Sequence, residues 1–329
     1  MAEMLTKLPT SVLKGNSNKI SRILKEQIDY IGSDSVYSDR EEYMNFIGKE
    51  IDENANFGRQ VAYMMAQAKG QLQQPLSIVE TCSGPGTNSR DIHQVIPNVN
   101  VHCLEYAEEM CNFGRDIHPH LNFIECDVTR ENSAFLPLMD KVDYAFNSAS
   151  SLGFFTQAQL LNHFKVMSLL LKDGGSYFAD QGYYSSVLAA GLINERIDTV
   201  SEYKGEQLFW RTLTTKYFPL TDFHEIAYSG WRINGEEAEL VIAVKHQLRA
   251  YRASEVAALA EIAGLEFRMH QLFWEWDNDN QHYVFRFEPV TAETFDRYPM
   301  QNYVFEFHKG QEVSLSDLTF SGYGADIQK

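Results

Sequence analysis

Thirteen residues constrain this chain most: Leu76-Ser77-Ile78-Val79-Glu80-Thr81-Cys82-Ser83-Gly84-Pro85-Gly86-Thr87-Asn88, an apolar run that ends in an acid and breaks into a glycine-bearing turn. Leu76, Ile78 and Val79 fit a strand buried on both faces. Gly84 and Gly86 let the backbone pass close to a bound molecule where a Cβ would collide. Thr87 or Asn88 is then placed to cap a following helix. No Gly-Lys-Ser/Thr follows, so this is not a phosphate-binding P-loop, and the spacing of a dinucleotide fingerprint fails at Ser89. The stretch predicts a strand, turn and helix built for a nucleotide-like ligand of another kind.

Three later runs repeat the design. Val101 to Glu105 is apolar and ends in an acid 25 residues after Glu80, close to where an α/β nucleotide fold places the carboxylate that binds a ribose diol. Leu121 to Asp127 ends in an acid again, and Val142 to Asn147 leads into the loop Ser148 to Phe155. Between them lie helical stretches, about Thr87 to Ile96 and Ala107 to Ile117. Thr156-x-x-Gln159 is a capping box for a third helix, which runs through Leu171 to a stop at Gly174-Gly175. Strand five is Ser176 to Gln181. Alternation of this kind predicts an α/β fold, a parallel sheet wound on both faces, with a ligand crevice at the carboxyl ends of strands one and four.

Together these stretches resemble the class I S-adenosylmethionine-dependent methyltransferases. The first matches the family's acid-x-Gly-x-Gly-x-Gly motif, with Cys82 in place of the first glycine. The Tyr106 to Met110 continuation after Glu105 looks like the family's acid-x-Ser-x-x-Met. The resemblance implies a Rossmann-like, doubly wound, seven-stranded sheet with N-terminal helices and an α+β cap insertion. It also implies S-adenosylmethionine as co-substrate, held by Glu80, Cys82, Gly84, Gly86, Glu105, Tyr106, Asp127, Val128 and Asn147. Glu105 is expected on the ribose and Asp127 on the adenine amino group. Tyr37 and Arg59, on N-terminal helices that cover the cofactor in the family, join this set. No metal is expected, because the Asp and Asp-Asn set of catechol-type enzymes is absent.

Around this core the chain divides into an N-terminal helical segment, 1–70, and a C-terminal extension, 291–329, that matches nothing recognisable. Helical spacing appears at Ile20 to Ile31, after a Ser38-x-x-Glu41 capping box, and at Gly58 to Lys69. The core spans 71–290. Its insertion, about 182–249, is rich in aromatics and includes a hairpin, Phe223–Trp231 with Ala238–His246, turned at Asn234-Gly235. After it come a helix, Ser254–Ala263, and two strands, Leu265–Phe273 and His282–Phe287, expected to finish the sheet.

Net charge excludes one class of partner. At −17 the chain lacks the basic footprint of a sequence-blind nucleic-acid binder. The four cysteines form no C-x-x-C pair, which fits reduced thiols and a cytoplasmic protein. No apolar run approaches the roughly 18–20 residues of a membrane span. The oligomeric state stays open, a homodimer included.

The leading function is methyl transfer from S-adenosylmethionine to an amine, or a hydroxyl, of a small metabolite. Asn147, at the end of strand four, and Tyr183 and Tyr184, just past strand five, are the candidate catalytic residues. An alternative on the same fold is a cyclase of the azetidine-2-carboxylate synthase type, in which the cofactor's own amine attacks and methylthioadenosine leaves. A second alternative is a binder without turnover.

Overall fold

The apolar runs that end in acids lie side by side as parallel strands. The computed structural model describes residues 7–11, 75–96, 98–130, 132–148, 151–181, 196–203, 206–249, 251–277, 282–290 and 303–310. In chain order the strands are β1 (Lys7–Pro9), β2 (Leu76–Thr81), β3 (Val99–Glu105), β4 (Asn122–Glu125), β5 (Val142–Asn147) and β6 (Leu171–Gln181). They continue as β7 (Arg196–Tyr203), β8 (Glu206–Phe218), β9 (Phe223–Asn234), β10 (Glu237–Arg249), β11 (Glu266–Asp277), β12 (His282–Pro289) and β13 (Tyr303–His308). The helices are α1 (Thr87–Val95), α2 (Glu108–Ile117), α3 (Gln157–Leu170) and α4 (Ala253–Ile262).

The chain forms two units, residues 55–186 with 251–329, and residues 1–54 with 187–250. In the first, a mixed sheet runs β12-β11-β13-β6-β5-β2-β3-β4. Strands β2 to β6 are parallel and β13 and β11 antiparallel. That is the seven-stranded, doubly wound arrangement expected, with an eighth strand on its edge. Apolar residues alternate between two faces because side chains on a strand do. Ile78, Val101, Phe146 and Phe178 pack with Ile92 of α1 and Cys111 of α2. Val79, Ala145, Tyr177 and Phe305 pack on the other face with Leu160 and Phe164 of α3 and Val256 of α4. The capping box of α3 forms: Thr156 accepts from the Gln159 amide at 3.3 Å, and Gln159 Oε1 from the Thr156 amide at 2.8 Å.

The end of the sheet differs from the sequence reading. The strand between β6 and β11 is Tyr303–His308, inside the stretch read as an extension, whereas His282–Pro289 is the added edge strand. The acid that interrupts β13, Glu306, is buried yet satisfied: His270 Nε2 lies 2.8 Å from one oxygen, and the Ser176 hydroxyl donates to the other at 2.9 Å. These partners are remote in sequence, so the strand reads locally as a polar-interrupted segment.

The second unit holds an antiparallel sheet, β1-β10-β9-β8-β7. The expected hairpin is there as β9 and β10, longer than predicted, with Asn234 opposite Glu237 and Gly235 at φ +60° in the turn. Its core is Phe209, Leu213, Ala227, Trp231 and Ala238. The described residues of the insertion are strands and turns, and Lys7–Pro9 adds the first edge. The predicted N-terminal helices lie outside the described residues. Among those residues no helix is long and apolar enough to cross a membrane.

Candidate functional site

At the carboxyl end of β2 the chain turns into α1 under the control of one buried acid. Glu80 has no exposed surface, and one of its oxygens accepts from the Ser89 amide at 3.1 Å and the Ser89 hydroxyl at 2.6 Å. The other oxygen meets Asn88 Nδ2 at 3.3 Å and the Ser148 hydroxyl at 3.4 Å. Burial raises this carboxyl to about 7, against the lowering effect of those bonds. Neither Thr87 nor Asn88 caps the helix as expected; Gly86 is the N-cap, with no side-chain bond. A strand acid does the capping from behind, where the positive end of the helix favours an acceptor. Glu80, expected to touch the cofactor, therefore shapes the turn, because its oxygens are taken up inside the fold.

The turn is held from the other side by Glu105. Its Oε2 accepts the Gly84 amide at 2.7 Å, and its Oε1 accepts those of Tyr106 and Ala107, each at 2.9 Å. Burial raises this carboxyl, with the three amides lowering it. Register explains the meeting: β2 and β3 run in parallel with Thr81 beside Leu104, so their two ends share one edge. Cys82, Gly84 and Gly86 all have positive φ, +53°, +52° and +77°. The cysteine thus keeps the left-handed conformation that glycine would adopt freely, at a cost of roughly 1–2 kcal/mol. Its thiol is pushed up by burial and by Glu105.

Gly86 has a further reason for being glycine, and it is not ligand access alone. A Cβ there would stand 2.7 Å from Phe123 Cζ and 3.2 Å from Leu121 Cδ1. The Phe123 ring likewise fills the place of a Cβ on Gly114 of α2, 2.3 Å away. Close packing between helix, turn and β4 fixes both positions.

Asp127 lies two residues beyond the end of β4. Its Oδ1 accepts from the Thr129 amide at 2.9 Å and hydroxyl at 2.6 Å, and its Oδ2 pairs with Arg130 Nε at 3.1 Å. Val128 is buried in the core, and Tyr106 is 61% exposed. The Val128 side chain is packed in the core, and its carbonyl faces His163 Nδ1 at 3.2 Å.

Asn147 closes β5 directly opposite Thr81. Both are fully buried, and Asn147 Nδ2 donates to the Thr81 carbonyl and to its hydroxyl, each at 3.1 Å. The amide oxygen, Oδ1, is buried with no donor among the described residues. A buried acceptor left in that state is costly.

The structure thus brings Glu80, Cys82, Gly84, Gly86, Glu105, Asp127 and Asn147 to one sheet edge, at the point where β2 is flanked by β5 and β3. Tyr37, Arg59, Tyr183 and Tyr184 lie outside the described residues. Sequence reasoning missed Thr81, Ser89 and Ser148, small polar residues that carry no pattern of their own. Among the described residues no group of three or more His, Cys, Asp or Glu side chains is arranged to hold a metal ion.

Residues 78–175 match the family model described as a methyltransferase domain. Among solved structures, an S-adenosylmethionine-dependent methyltransferase from Clostridium acetobutylicum aligns over 83% of this chain and 99% of its own, with TM-score 0.59 and 14% identity. An amino pentose methyltransferase from Micromonospora echinaspora, solved with S-adenosylmethionine bound, covers 80% and 96%, with TM-score 0.59 and 12% identity. A sugar N-methyltransferase from a Streptoalloteichus species covers 83% and 93%, with TM-score 0.56 and 13% identity. At these identities the likeness is one of fold. The sequence matches no curated protein.

Proposed function

We propose that this chain, whose residues 78–175 match a methyltransferase-domain model, transfers the methyl group of S-adenosylmethionine to an amine of a small metabolite, or less favourably to a hydroxyl. The observation that carries this reading is the register at the sheet edge. Thr81 stands beside Asn147 on one side and Leu104 on the other, so the glycine-bearing turn, Glu105 and Asn147 meet at one sheet edge.

The residues suit the co-substrate. Glu105 and Asp127, at successive strand ends, offer acceptors to a ribose and an adenine amino group, and the turn at Gly84 offers backbone. Asn147 Oδ1 is a buried acceptor waiting for a donor, which an ammonium or amine N–H supplies. S-adenosylmethionine, when bound, supplies a methyl group on a positively charged sulfur.

Since the group that leaves is a neutral thioether, the protein has little acid chemistry to perform. Its work is to align and to exclude water, which in well-oriented systems is worth roughly 7–11 kcal/mol of barrier. We assign Asn147 to hold an amine by its N–H. Tyr183 and Tyr184, which follow β6, are proposed for the same edge on sequence alone, as are Tyr37 and Arg59 for the cofactor. Nitrogen is favoured over oxygen because two neighbours in fold are an amino pentose methyltransferase and a sugar N-methyltransferase.

Incubation with S-adenosylmethionine, alone and with a panel of small amines and alcohols, tests this. Adenosylhomocysteine formed only with an amine is the expected result. Methylthioadenosine released without an acceptor would instead reveal the cyclising use of the site, and binding without any product a binder.

A further inference from the structure

Two buried acids flank the turn after β2, and their partners treat a proton differently. Glu105 meets the amides of Gly84, Tyr106 and Ala107 at 2.7, 2.9 and 2.9 Å. A backbone N–H only donates, so these three favour the carboxylate and supply no acceptor for a proton. Glu80 differs in one partner. Its Oε2 accepts from the Ser89 amide and hydroxyl, at 3.1 and 2.6 Å, and Asn88 Nδ2, 3.3 Å from Oε1, can only donate. Ser148 Oγ, 3.4 Å from the same Oε1, can accept as well as donate, and it already takes a bond from Asn88 Nδ2 at 2.9 Å. A proton on Glu80 Oε1 therefore has a partner, and one on Glu105 has none among these groups.

Charge decides that the proton is needed. Both acids are buried, and every one of the partners above is uncharged. A buried carboxylate bonded only to neutral groups is costly, and a second at the same edge raises the cost. Around Glu80, Cys103 lies opposite on β3 and Phe146 on β5. Burial pushes up the thiols of Cys103 and of Cys82 in the turn, so neither is charged near pH 7. On α1, Arg90 pairs with Asp91 at 3.0 Å. Asn147 Oδ1 adds a third acceptor, buried with no donor among the described residues. An edge so rich in acceptors suits a cation, and Glu80, at about 7, is the acid that can still ionise to meet one.

We propose that Glu80 shares a proton with Ser148 in the empty site and releases it when a sulfonium binds, so that this acid tells S-adenosylmethionine from its neutral thioether product. The proposal rests on the function proposed above. In the step the Oε1–H bond of Glu80 breaks, its electron pair stays on the oxygen, the proton passes to water, and the Ser148 hydroxyl turns to donate in its place. A unit positive charge roughly 8 Å away, at an effective dielectric of about 20, shifts the dissociation constant of that proton about thirtyfold. Affinity for the sulfonium relative to the thioether should therefore rise about thirtyfold from pH 5 to pH 8 and level off above that.

Calorimetry on the wild-type protein tests this, with S-adenosylmethionine and S-adenosylhomocysteine each titrated at pH 7 in buffers of different ionisation enthalpy. Both ligands carry the same α-amine, so the difference between them isolates the sulfonium. About half a proton more should be released with S-adenosylmethionine, because a carboxyl at about 7 is half protonated there. Equal release with the two ligands overturns the proposal. Infrared difference spectra identify the group: S-adenosylmethionine should abolish a protonated-carboxyl band in the wild type and in Glu105→Gln, and Glu80→Gln should show no such loss. A loss that vanishes in Glu105→Gln assigns the proton to the other acid and overturns the proposal, even where Glu80→Gln does not fold. A wild-type protein that binds neither ligand sinks the proposed function, whereas one that binds both with equal proton release sinks this proposal alone.

Discussion

The Glu105 carboxylate accepts the backbone N–H of Gly84 at 2.7 Å, so the acid that ends β3 also closes the turn that follows β2. One side chain thereby links the end of β3 to the backbone of the turn proposed to pass beneath the ligand.

Replacing Glu105 should consequently do two things. Glu105→Ala is expected to weaken S-adenosylmethionine binding by about 1.5–3 kcal/mol, the range for bonds to a charged group. It should also lower the thermal midpoint, since the Gly84, Tyr106 and Ala107 amides lose their acceptor. Calorimetry and a melting curve on the same variant separate the effects. Unchanged affinity would remove Glu105 from the binding site.

Gly86→Ala is expected to destabilise the fold by about 1–3 kcal/mol, from overpacking against Phe123 and a Cβ at positive φ. Adding Phe123→Leu should restore part of that loss, because a smaller side chain leaves room for the new methyl. Denaturant midpoints of the two variants decide it, and equal stability of wild type and Gly86→Ala would refute the packing account.

Acid should unfold the protein partly through Glu306. Burial alone would raise its carboxyl, but the hydrogen bond and charge of His270, then Ser176 and Arg268, hold it at about 2, below the ordinary 4.5. A lowered native value means stability that is present in full above pH 4.5 and lost as pH falls toward 2, about 3 kcal/mol at most. Urea titrations at pH 6 and pH 3 should show this loss in the wild type and a much smaller one in Glu306→Gln.

Glu80 should act with the opposite sign. Its native value of about 7 lies above the unfolded 4.5, so the folded state holds the proton more firmly and stability falls as pH rises between them, by about 3 kcal/mol. Glu80→Gln keeps an acceptor for Ser89 and should flatten the pH profile from 5 to 8. A variant that retains the wild-type slope would show that another group causes it.

How far the sequence disclosed this fold depends on whether a residue's partner is local. Runs such as Ile78–Val79 and the capping box at Thr156 are legible because their periodicity or spacing is contained in a few residues. Glu80 was visible as an acid at a strand end, yet its choice between ligand and helix depends on Ser89 and Ser148, brought together by folding. Tyr303–His308 has a strand-like composition broken by Glu306, whose partners His270 and Ser176 lie 36 and 130 residues away. Nothing in its own six residues says that it enters the middle of a sheet. Asn147 is legible from its place after a strand; that its oxygen is the unpaired atom follows only from Thr81, whose carbonyl faces its nitrogen across the sheet.

The position of β13 also dictates an order of assembly. It pairs with β6 on one side and β11 on the other, joining Tyr303 to Gln181 and to Gln271. Until that strand is made, the parallel half of the sheet and the β11–β12 ribbon each present a bare edge, the kind that recruits strands from other chains. During synthesis β13 must therefore arrive before the two halves can become one sheet, and closure across so long a separation in sequence is slow. A nascent chain stopped before Tyr303 would be sticky at the seam and not merely shorter at its end.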